Sequence, residues 1–300
     1  MKYKFIVKPP LKKQYQEDFL IFKNEFKGRV EEEFTEKEGP KTAKNLAKKA
    51  VEEGFDRIIF VGGDGSLNEG VNGIMAATGE KIFSNFALGI IPTGSGNNFA
   101  KNLGIPKDIK RAFEIIKKDK TISVDIGRAN DRYFVNCISF GFDAKVNQLA
   151  NDLKEKYPFL PKEGSYLLPA LKEVIIKIPL YEIKIEGEGI NIKEKLIMLA
   201  ITNSKSYGAI FKINPAATVN DGKLDVCFIK AVSKIRALSD IYQVIKGTHI
   251  NLPEVKMFQT SFLTISSPDF LPYEIDGEVP EPQKEYKIEV FPRILPILVP

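Results

Sequence analysis

The sequence predicts two domains, an α/β domain in the first part of the chain and an all-β sandwich in the second. The length of 300 residues is about twice the usual size of ~150 residues for one domain. Strand-like and helix-like stretches alternate at first, which is typical of a parallel sheet covered by helices. Beyond residue 121 short strand-like runs separated by turn residues predominate, which is typical of an antiparallel sandwich. We place the domains at residues 1–125 and 126–300, and leave open a return of the extreme C-terminus to the first domain.

The elements of the first domain follow from hydrophobic spacing. Continuous apolar runs predict buried strands at residues 57–61 and 86–91, and strand-like stretches predict further strands at residues 4–7 and 29–34. Apolar residues at helical spacing predict helices at residues 15–26, 42–53, 68–77, 97–103 and 107–118. Gly54 ends the second of these helices. Two glycine-containing loops follow the third and fourth strands, so the chain turns sharply at the ends of both.

The second domain has a different pattern, in which strands dominate. We predict strands at residues 122–126, 133–138, 180–186, 196–202, 223–230, 258–266 and 286–291. Helical stretches interrupt them at residues 143–153, 165–177 and 234–246. Where an α/β domain adjoins a second domain, the cleft between the two is the expected place for an active site.

Composition excludes several classes of function. The single histidine excludes any mechanism that needs two histidines from one chain, and the two cysteines allow neither a zinc cluster nor a disulfide framework. We expect both cysteines to be reduced core residues of a cytoplasmic protein. The longest apolar run, residues 196–201, is far shorter than the ~20 residues of a membrane helix. A net charge of +5 is compatible with an anionic membrane, ATP or nucleic acid, and selects none of them.

The segment RIIFVGGDGSLNEGVNG, residues 57–73, is the strongest local signal. A buried strand runs into glycines, which permit positive φ and expose backbone N–H groups, and then opens a helix that favours phosphate. The Asp64 carboxylate would repel a phosphate in direct contact with it. Its position is compatible with phosphate binding if a Mg²⁺ ion or water network lies between it and the phosphate oxygens. The alternative is a plain strand-to-helix turn in which Asp64 caps the helix.

A second loop of the same kind, IIPTGSGNNFAKNLG, occupies residues 90–104. Two such loops after neighbouring strands face the same edge of a parallel sheet, where ligands bind. The sequence lacks GxxxxGK[ST] and lacks GxGxxG after its first strand, so neither a P-loop nor a dinucleotide-binding fingerprint is present.

These motifs together resemble the catalytic domain shared by diacylglycerol, sphingosine and ceramide kinases, and are most similar to the soluble bacterial lipid kinases of that family. The resemblance extends through almost the whole chain in the correct order. It continues in DIG at residues 125–127, NCISFGFDA at 136–144, DGKLDV at 221–226 and IDGE at 275–278. It implies an NAD kinase/diacylglycerol kinase-like nucleotide-binding domain, a C-terminal β-sandwich, and transfer of the ATP γ-phosphoryl group to a lipid hydroxyl.

The resemblance also implies roles for particular residues. Nucleotide contacts fall on Thr35, Gly63, Asp64, Gly65, Ser66, Asn68, Glu69 and Ser95. Glu278 is the implied general base, which with Asp64 makes up the catalytic set. The DGKLDV segment resembles a structural Mg²⁺ site, with the Asp221 side chain and the Thr218 and Lys223 carbonyls as ligands. By residue pattern alone, Asp221-Gly222 and Asp276-Gly277 are hairpin turns, and we expect both to be turns that also carry function.

Two departures from the family pattern stand out. The first strand runs into Lys8-Pro9-Pro10 without the usual Asn and Ser-Gly, which alters one wall of the expected phosphate site, and Lys12 or Lys13 is available to supply charge there. The second loop reads Asn97-Asn98-Phe99 where relatives often have an Asp in the middle position. We expect weaker Mg²⁺ binding as a result.

Three functions are compatible with the sequence. The first is an ATP- and Mg²⁺-dependent lipid kinase acting on diacylglycerol. It has a lipid partner at the membrane surface, transient peripheral membrane contact, no nucleic acid partner, and a homodimer as suggested by bacterial relatives. Residues 154–168 are the candidate membrane contact, and a surface loop packed on the sandwich is an equally favoured alternative for them. The second is an enzyme similar to NAD kinase with a soluble substrate. The third is a catalytically inactive protein that binds nucleotide or lipid.

Overall fold

A computed structural model describes residues 1–11, 13–81, 85–156, 178–205, 212–233 and 246–300, together with positions 169, 172, 176, 235, 236 and 242–244. The chain forms two compact units. Unit 1 comprises Met1–Ile126 and Phe291–Pro300, and unit 2 comprises Gly127–Val290. The last ten residues therefore belong to the same unit as the first part of the chain.

Unit 1 is built on a parallel sheet with the strand order β2-β1-β3-β4. The end of a later strand, β14 (Gln283–Leu298), continues this sheet, with Ile297 parallel to Leu88. All positions of β1, β3 and β4 are buried, as expected for strands covered on both faces. The four strands are β1 (Tyr3–Val7), β2 (Val30–Phe34), β3 (Arg57–Gly62) and β4 (Ala87–Pro92).

Helices cover both faces of this sheet. On one face, Phe5 of β1 packs against Phe22 and Phe113 from two helices. On the other face, Gly70 accommodates the ring of Phe60, since a Cβ there would lie 2.0 Å from that ring. The predicted α/β class is confirmed for this unit. Its helices are α1 (Lys13–Glu25), α2 (Ala43–Glu52), α3 (Asp64–Thr78), α4 (Asn98–Asn102) and α5 (Ile109–Lys118).

Unit 2 is mostly antiparallel. Its strands pair in the order β11-β10-β9-β8-β12-β14, while β7 pairs with β9 and with β13. Strands β5 and β14 each contain residues of both units. The elements are β5 (Thr121–Ala129), β6 (Arg132–Phe134), β7 (Cys137–Gly141), α6 (Phe142–Lys156), β8 (Tyr181–Gly187), β9 (Ile190–Thr202), β10 (Leu224–Lys230), β11 (Val255–Thr260), β12 (Phe262–Leu271), β13 (Tyr273–Ile275) and β14 (Gln283–Leu298).

Two of the predicted strands are each divided in the structure. The strand expected at residues 133–138 is interrupted because the N–H groups of residues 135–137 bond to the carboxylate of Asp276. The strand expected at residues 258–266 is in fact β11 and β12, since β11 pairs with β10 whereas β12 pairs with β8 and β14. Strand β13 was not predicted.

Aromatic residues form the centre of the unit 2 core. Phe140 meets Tyr286 edge to face with ring centroids 4.7 Å apart, and Tyr273 meets Tyr286 at 4.9 Å. The Tyr286 hydroxyl donates to the Leu271 carbonyl at 2.7 Å, which satisfies the one polar group of that side chain.

Both cysteines, Cys137 and Cys227, are buried and free, as expected. The helix predicted at 165–177, the one at 234–246 and the membrane-contact segment at 154–168 fall largely outside the described residues.

Candidate active site

The carboxyl ends of the parallel strands in unit 1 lie at one edge of the sheet. Val7 at the end of β1 is in register with Phe34 of β2 and Val61 of β3. The next residue along β3, Gly62, is in register with Pro92 of β4. Both glycine loops therefore leave the sheet at this edge. Thr35 follows β2 at the same edge, and its backbone N–H donates to the Val7 carbonyl at 2.8 Å.

The first loop is shorter than the sequence predicts. Helix α3 begins at Asp64 rather than at residue 68, with Gly63 as its N-cap. Five of the predicted nucleotide contacts, Asp64, Gly65, Ser66, Asn68 and Glu69, consequently lie in its first two turns. Ser66 and Asn68 are buried, whereas a Cβ on Gly65 would have no heavy atom within 4 Å.

The glycines permit close approach of backbones instead of positive φ. Gly62, Gly63 and Gly94 do not have positive φ. The expectation that these glycines serve to permit positive φ is therefore wrong. A Cβ on Gly94 would lie 2.5 Å from the Cα of Gly63, closer than real contacts allow. The two loops therefore touch backbone to backbone, which only glycine permits here.

The Asp64 carboxylate joins the two loops. Its Oδ1 accepts the Phe99 N–H at 3.1 Å, and its Oδ2 accepts the Asn98 N–H at 3.0 Å and the Asn98 side-chain amide at 3.4 Å. The alternative in which Asp64 caps its own helix is therefore wrong, because Asp64 accepts the first backbone N–H groups of α4 instead. The Asn98 side-chain amide donates to the Asp64 carboxylate, whereas an Asp at position 98 would repel that carboxylate.

Two features of this edge were not found from the sequence. The Oδ1 atoms of Asn97 and Asn98 are buried without a hydrogen-bond partner among the described residues. The Lys107 ammonium lies 3.4 Å from the carbonyl of Ser95, which is itself exposed, and brings positive charge to the second loop. Nothing in the sequence distinguished Lys107 from the other lysines on helix surfaces. Of the lysines proposed for the first wall, Lys12 lies outside the described residues.

The base predicted in unit 2 stands on a tight turn. Ile275 and Glu278 exchange two backbone hydrogen bonds, of 2.8 and 3.0 Å, across Asp276 and Gly277. Both central residues have positive φ, as a two-residue hairpin turn requires. The predicted turn is confirmed. The Glu278 side chain is exposed, and its Oε2 lies 3.1 Å from the guanidinium of Arg132.

The predicted structural metal loop is a turn leading into β10 and not a two-residue hairpin. The Lys223 N–H donates to Asp221 Oδ1 at 3.0 Å. Gln259 donates to Asp221 at 3.4 Å and to Asp225 at 3.0 Å, which brings the two carboxylates close together. Burial raises the pKa of Asp225, and the negative charge of Asp221 adds to this. Asp225 Oδ2 is buried without a hydrogen-bond partner among the described residues.

Oxygen donors of this kind are those that Mg²⁺ prefers, so the residues present fit that ion. No cluster of three or more His, Cys, Asp and Glu side chains suited to a metal occurs in the described part of the chain.

Comparison with known proteins decides the family. The model of the diacylglycerol kinase catalytic domain matches residues 12–129, and that of the YegS C-terminal NAD kinase beta sandwich-like domain matches residues 136–299. The chain belongs to the diacylglycerol kinase family of lipid kinases. The two-part fold class predicted from the sequence is thereby confirmed, and the protein is a kinase.

Individual proteins similar to this kinase are themselves named as lipid or diacylglycerol kinases. It is 33% identical over 247 residues to a diacylglycerol kinase of Staphylococcus haemolyticus (strain JCSC1435), covering 81% of this chain and 71% of that protein. It is 31% identical over 255 residues to a YegS-like lipid kinase of Shewanella frigidimarina (strain NCIMB 400), covering 84% and 79%. A diacylglycerol kinase structure from Bacillus anthracis str. Sterne has the same fold, with a TM-score of 0.80 at 22% identity, covering 100% of this chain and 97% of that one.

Membership of this lipid kinase family implies ATP as the phosphate donor. Among the described residues of the kinase, no helix is long and apolar enough to cross a membrane.

Proposed function

We propose that the protein transfers the γ-phosphoryl group of ATP to the hydroxyl of a diacylglycerol in a Mg²⁺-dependent reaction. The observation that carries this proposal is the pair of glycine loops joined by Asp64 at the carboxyl edge of the unit 1 sheet. Such an edge, with a helix N-terminus beside it, suits a polyphosphate. The related enzymes of Bacillus subtilis and Staphylococcus are diacylglycerol kinases, which supports this acceptor.

The nucleotide contacts divide by exposure. Open space adjoins Gly65, and Ser95 is exposed, so both are accessible to phosphate. Ser66 and Asn68 are buried and shape the loop. Asn68 also accepts the Asn72 amide at 3.1 Å, which fixes its side chain along α3. The proposed set is the one expected from the sequence: Thr35, Gly63, Asp64, Gly65, Ser66, Asn68, Glu69 and Ser95.

In the reaction the lipid hydroxyl oxygen bonds to the γ-phosphorus, and the bond from that phosphorus to the bridging oxygen breaks to release ADP. We assign Glu278 as the group that takes the hydroxyl proton. Its exposed carboxylate is held by Arg132 through Oε2, and the other oxygen is the one assigned to the substrate. Bound Mg²⁺ supplies charge neutralisation on the phosphates. Asp221, with the carbonyls of Thr218 and Lys223, is the proposed holder of a structural Mg²⁺, and Asp225 lies beside it.

A substrate panel tests the acceptor. Purified protein with labelled ATP and Mg²⁺ is offered diacylglycerol in anionic vesicles, sphingosine in the same vesicles, and NAD in solution. We expect label in diacylglycerol, with transfer falling at high salt because a chain of net charge +5 must reach an anionic surface. Label in NAD alone would support the NAD kinase-like alternative. Binding of ATP with no transfer would identify an inactive binding protein.

A further inference from the structure

A buried polar cluster lies where β7, α6 and β13 meet in unit 2. At its centre is Glu274, which is 1% exposed. Its Oε1 lies 3.3 Å from the Cys137 thiol and 3.1 Å from the Ser139 hydroxyl. Its Oε2 accepts the Asn147 amide and the Gly277 N–H, both at 2.9 Å. None of these four described partners carries a positive charge.

The hydroxyl of Ser139 lies between two carboxyl groups. It is 2.6 Å from Asp143 Oδ2 and 3.1 Å from Glu274 Oε1. A serine hydroxyl has one proton and can donate to only one of them. If both carboxyls were ionised, the other contact would bring two oxygens together with no proton between them. The geometry is satisfied when one carboxyl is protonated and donates to Ser139, which in turn donates to the other.

Position in the fold indicates which carboxyl holds the proton. Asp143 lies in the first turn of the 15-residue helix α6 and is half-buried, so the helix N-terminus favours its ionised form. Burial raises the pKa of Glu274 to about 8, and the negative charges of Asp143 and Asp276 act in the same direction. The Gly277 N–H and the Cys137 thiol oppose the shift. Burial raises the pKa of that thiol too, which therefore stays neutral.

The cluster is attached directly to the turn that bears Glu278. The Gly277 N–H bonds to Glu274, and Glu278 is the next residue. We propose that Glu274 and Asp143 share one proton through Ser139, and that this protonated network makes Glu274 a positioning residue for Glu278. The inference rests on the proposed role of Glu278 as base. Ionisation of Glu274 leaves an unpaired buried charge facing Asp143, so the turn loosens when the proton is lost.

Stability against pH tests the shared proton without any activity measurement. Glu274 is protonated in the folded state up to about pH 8 but ionises near its ordinary value, about 4.3, when unfolded. The unfolded state thus binds fewer protons in this window, and the wild type loses stability as pH rises through it. The Glu274→Gln variant reproduces the neutral acid, because its amide N–H can donate to the Ser139 hydroxyl and its amide oxygen can accept the Gly277 N–H.

We compare the melting temperatures of wild type and Glu274→Gln as the pH is raised. Relative to the variant, wild type should lose on the order of 5 °C between pH 5 and pH 8. Glu278→Gln, at an exposed site, serves as the control and follows the wild-type curve. Parallel curves for wild type and Glu274→Gln would overturn the shared proton. Asp143→Asn provides a second variant. Loss of the facing charge lowers the pKa of Glu274, so the pH-dependent decrease in melting temperature should end at a lower pH than in wild type. An unchanged end point would contradict the pairing.

Activity then tests the positioning role. Wild-type kcat should fall several-fold above pH 8 while KM for ATP is unchanged, and Glu274→Gln should retain kcat over that range. The same alkaline fall in Glu274→Gln would overturn the positioning role. If Glu278→Gln stays fully active, the proposed base is wrong, and the stability curves still decide the shared proton.

Discussion

The loops around Asp64 and the turn around Asp276 use the same chemistry in different settings. In each, an aspartate carboxylate accepts backbone N–H groups from a distant segment and fixes a functional loop. Asp64 remains partly exposed at the edge of the unit 1 sheet. Asp276 is buried and accepts three N–H groups, from Val135, Asn136 and Cys137. The same Asp-Gly pair is therefore partly exposed in one region and buried in the other, where the exposed neighbour Glu278 is the proposed base.

The largest effect is expected from breaking the buried clamp. Asp276→Ala leaves three backbone N–H groups in unit 2 without their acceptor. Because buried donors are costly to leave unpaired, we expect a loss of about 3–5 kcal/mol in the free energy of unfolding. Urea denaturation measures it. Asp269→Ala, at an exposed position on β12, is the matched control and should cost less than about 0.5 kcal/mol. Equal costs would show that the clamp is not structural.

An intermediate effect is expected where the glycine loops meet. Gly94→Ala places a Cβ 2.5 Å from the Gly63 Cα, and backbone cannot move aside easily. We expect it to destabilise the protein by about 1–3 kcal/mol. Gly65→Ala adds the same methyl group into open space in a helical turn, so it should be neutral or slightly stabilising. If chemical denaturation ranks the two variants the other way, the loops do not touch as described.

The smallest effect is expected from the ion pair at the turn. Arg132 and Glu278 are both exposed, so solvent screens their attraction. Arg132→Gln should change kcat by less than about fivefold, the equivalent of 1 kcal/mol. Steady-state kinetics at two salt concentrations measure it. A loss as large as that of Glu278→Gln would mean that Arg132 contacts the reacting phosphate.

Local patterns were sufficient to predict the alternation of unit 1 and the place of both glycine loops. The continuous apolar runs predicted β3 and β4 directly, since strands buried on both faces have few polar positions. The positive φ of Asp276 and Gly277 also follows from local sequence, because that pair favours a two-residue turn.

Other features depended on contacts between distant parts of the chain. The break between β6 and β7 is caused by Asp276, which is 140 residues away from Asn136. The close contact of Gly63 with Gly94 depends on the pairing of β3 with β4. The contacts of Glu274 likewise become visible only when β7, α6 and β13 are brought together, and that of Arg132 only when β6 meets the turn after β13. No spacing within a single segment identifies such residues.

The most direct test of the account compares phosphoryl transfer to diacylglycerol by wild type and Glu278→Gln at saturating ATP and Mg²⁺. Glu281→Gln, an exposed carboxylate three residues further along the chain, is the control. We expect wild type and Glu281→Gln to label diacylglycerol, while Glu278→Gln loses about 10²–10⁴-fold in kcat with unchanged folding. Equal labelling by all three proteins would contradict the assignment of Glu278 as the base.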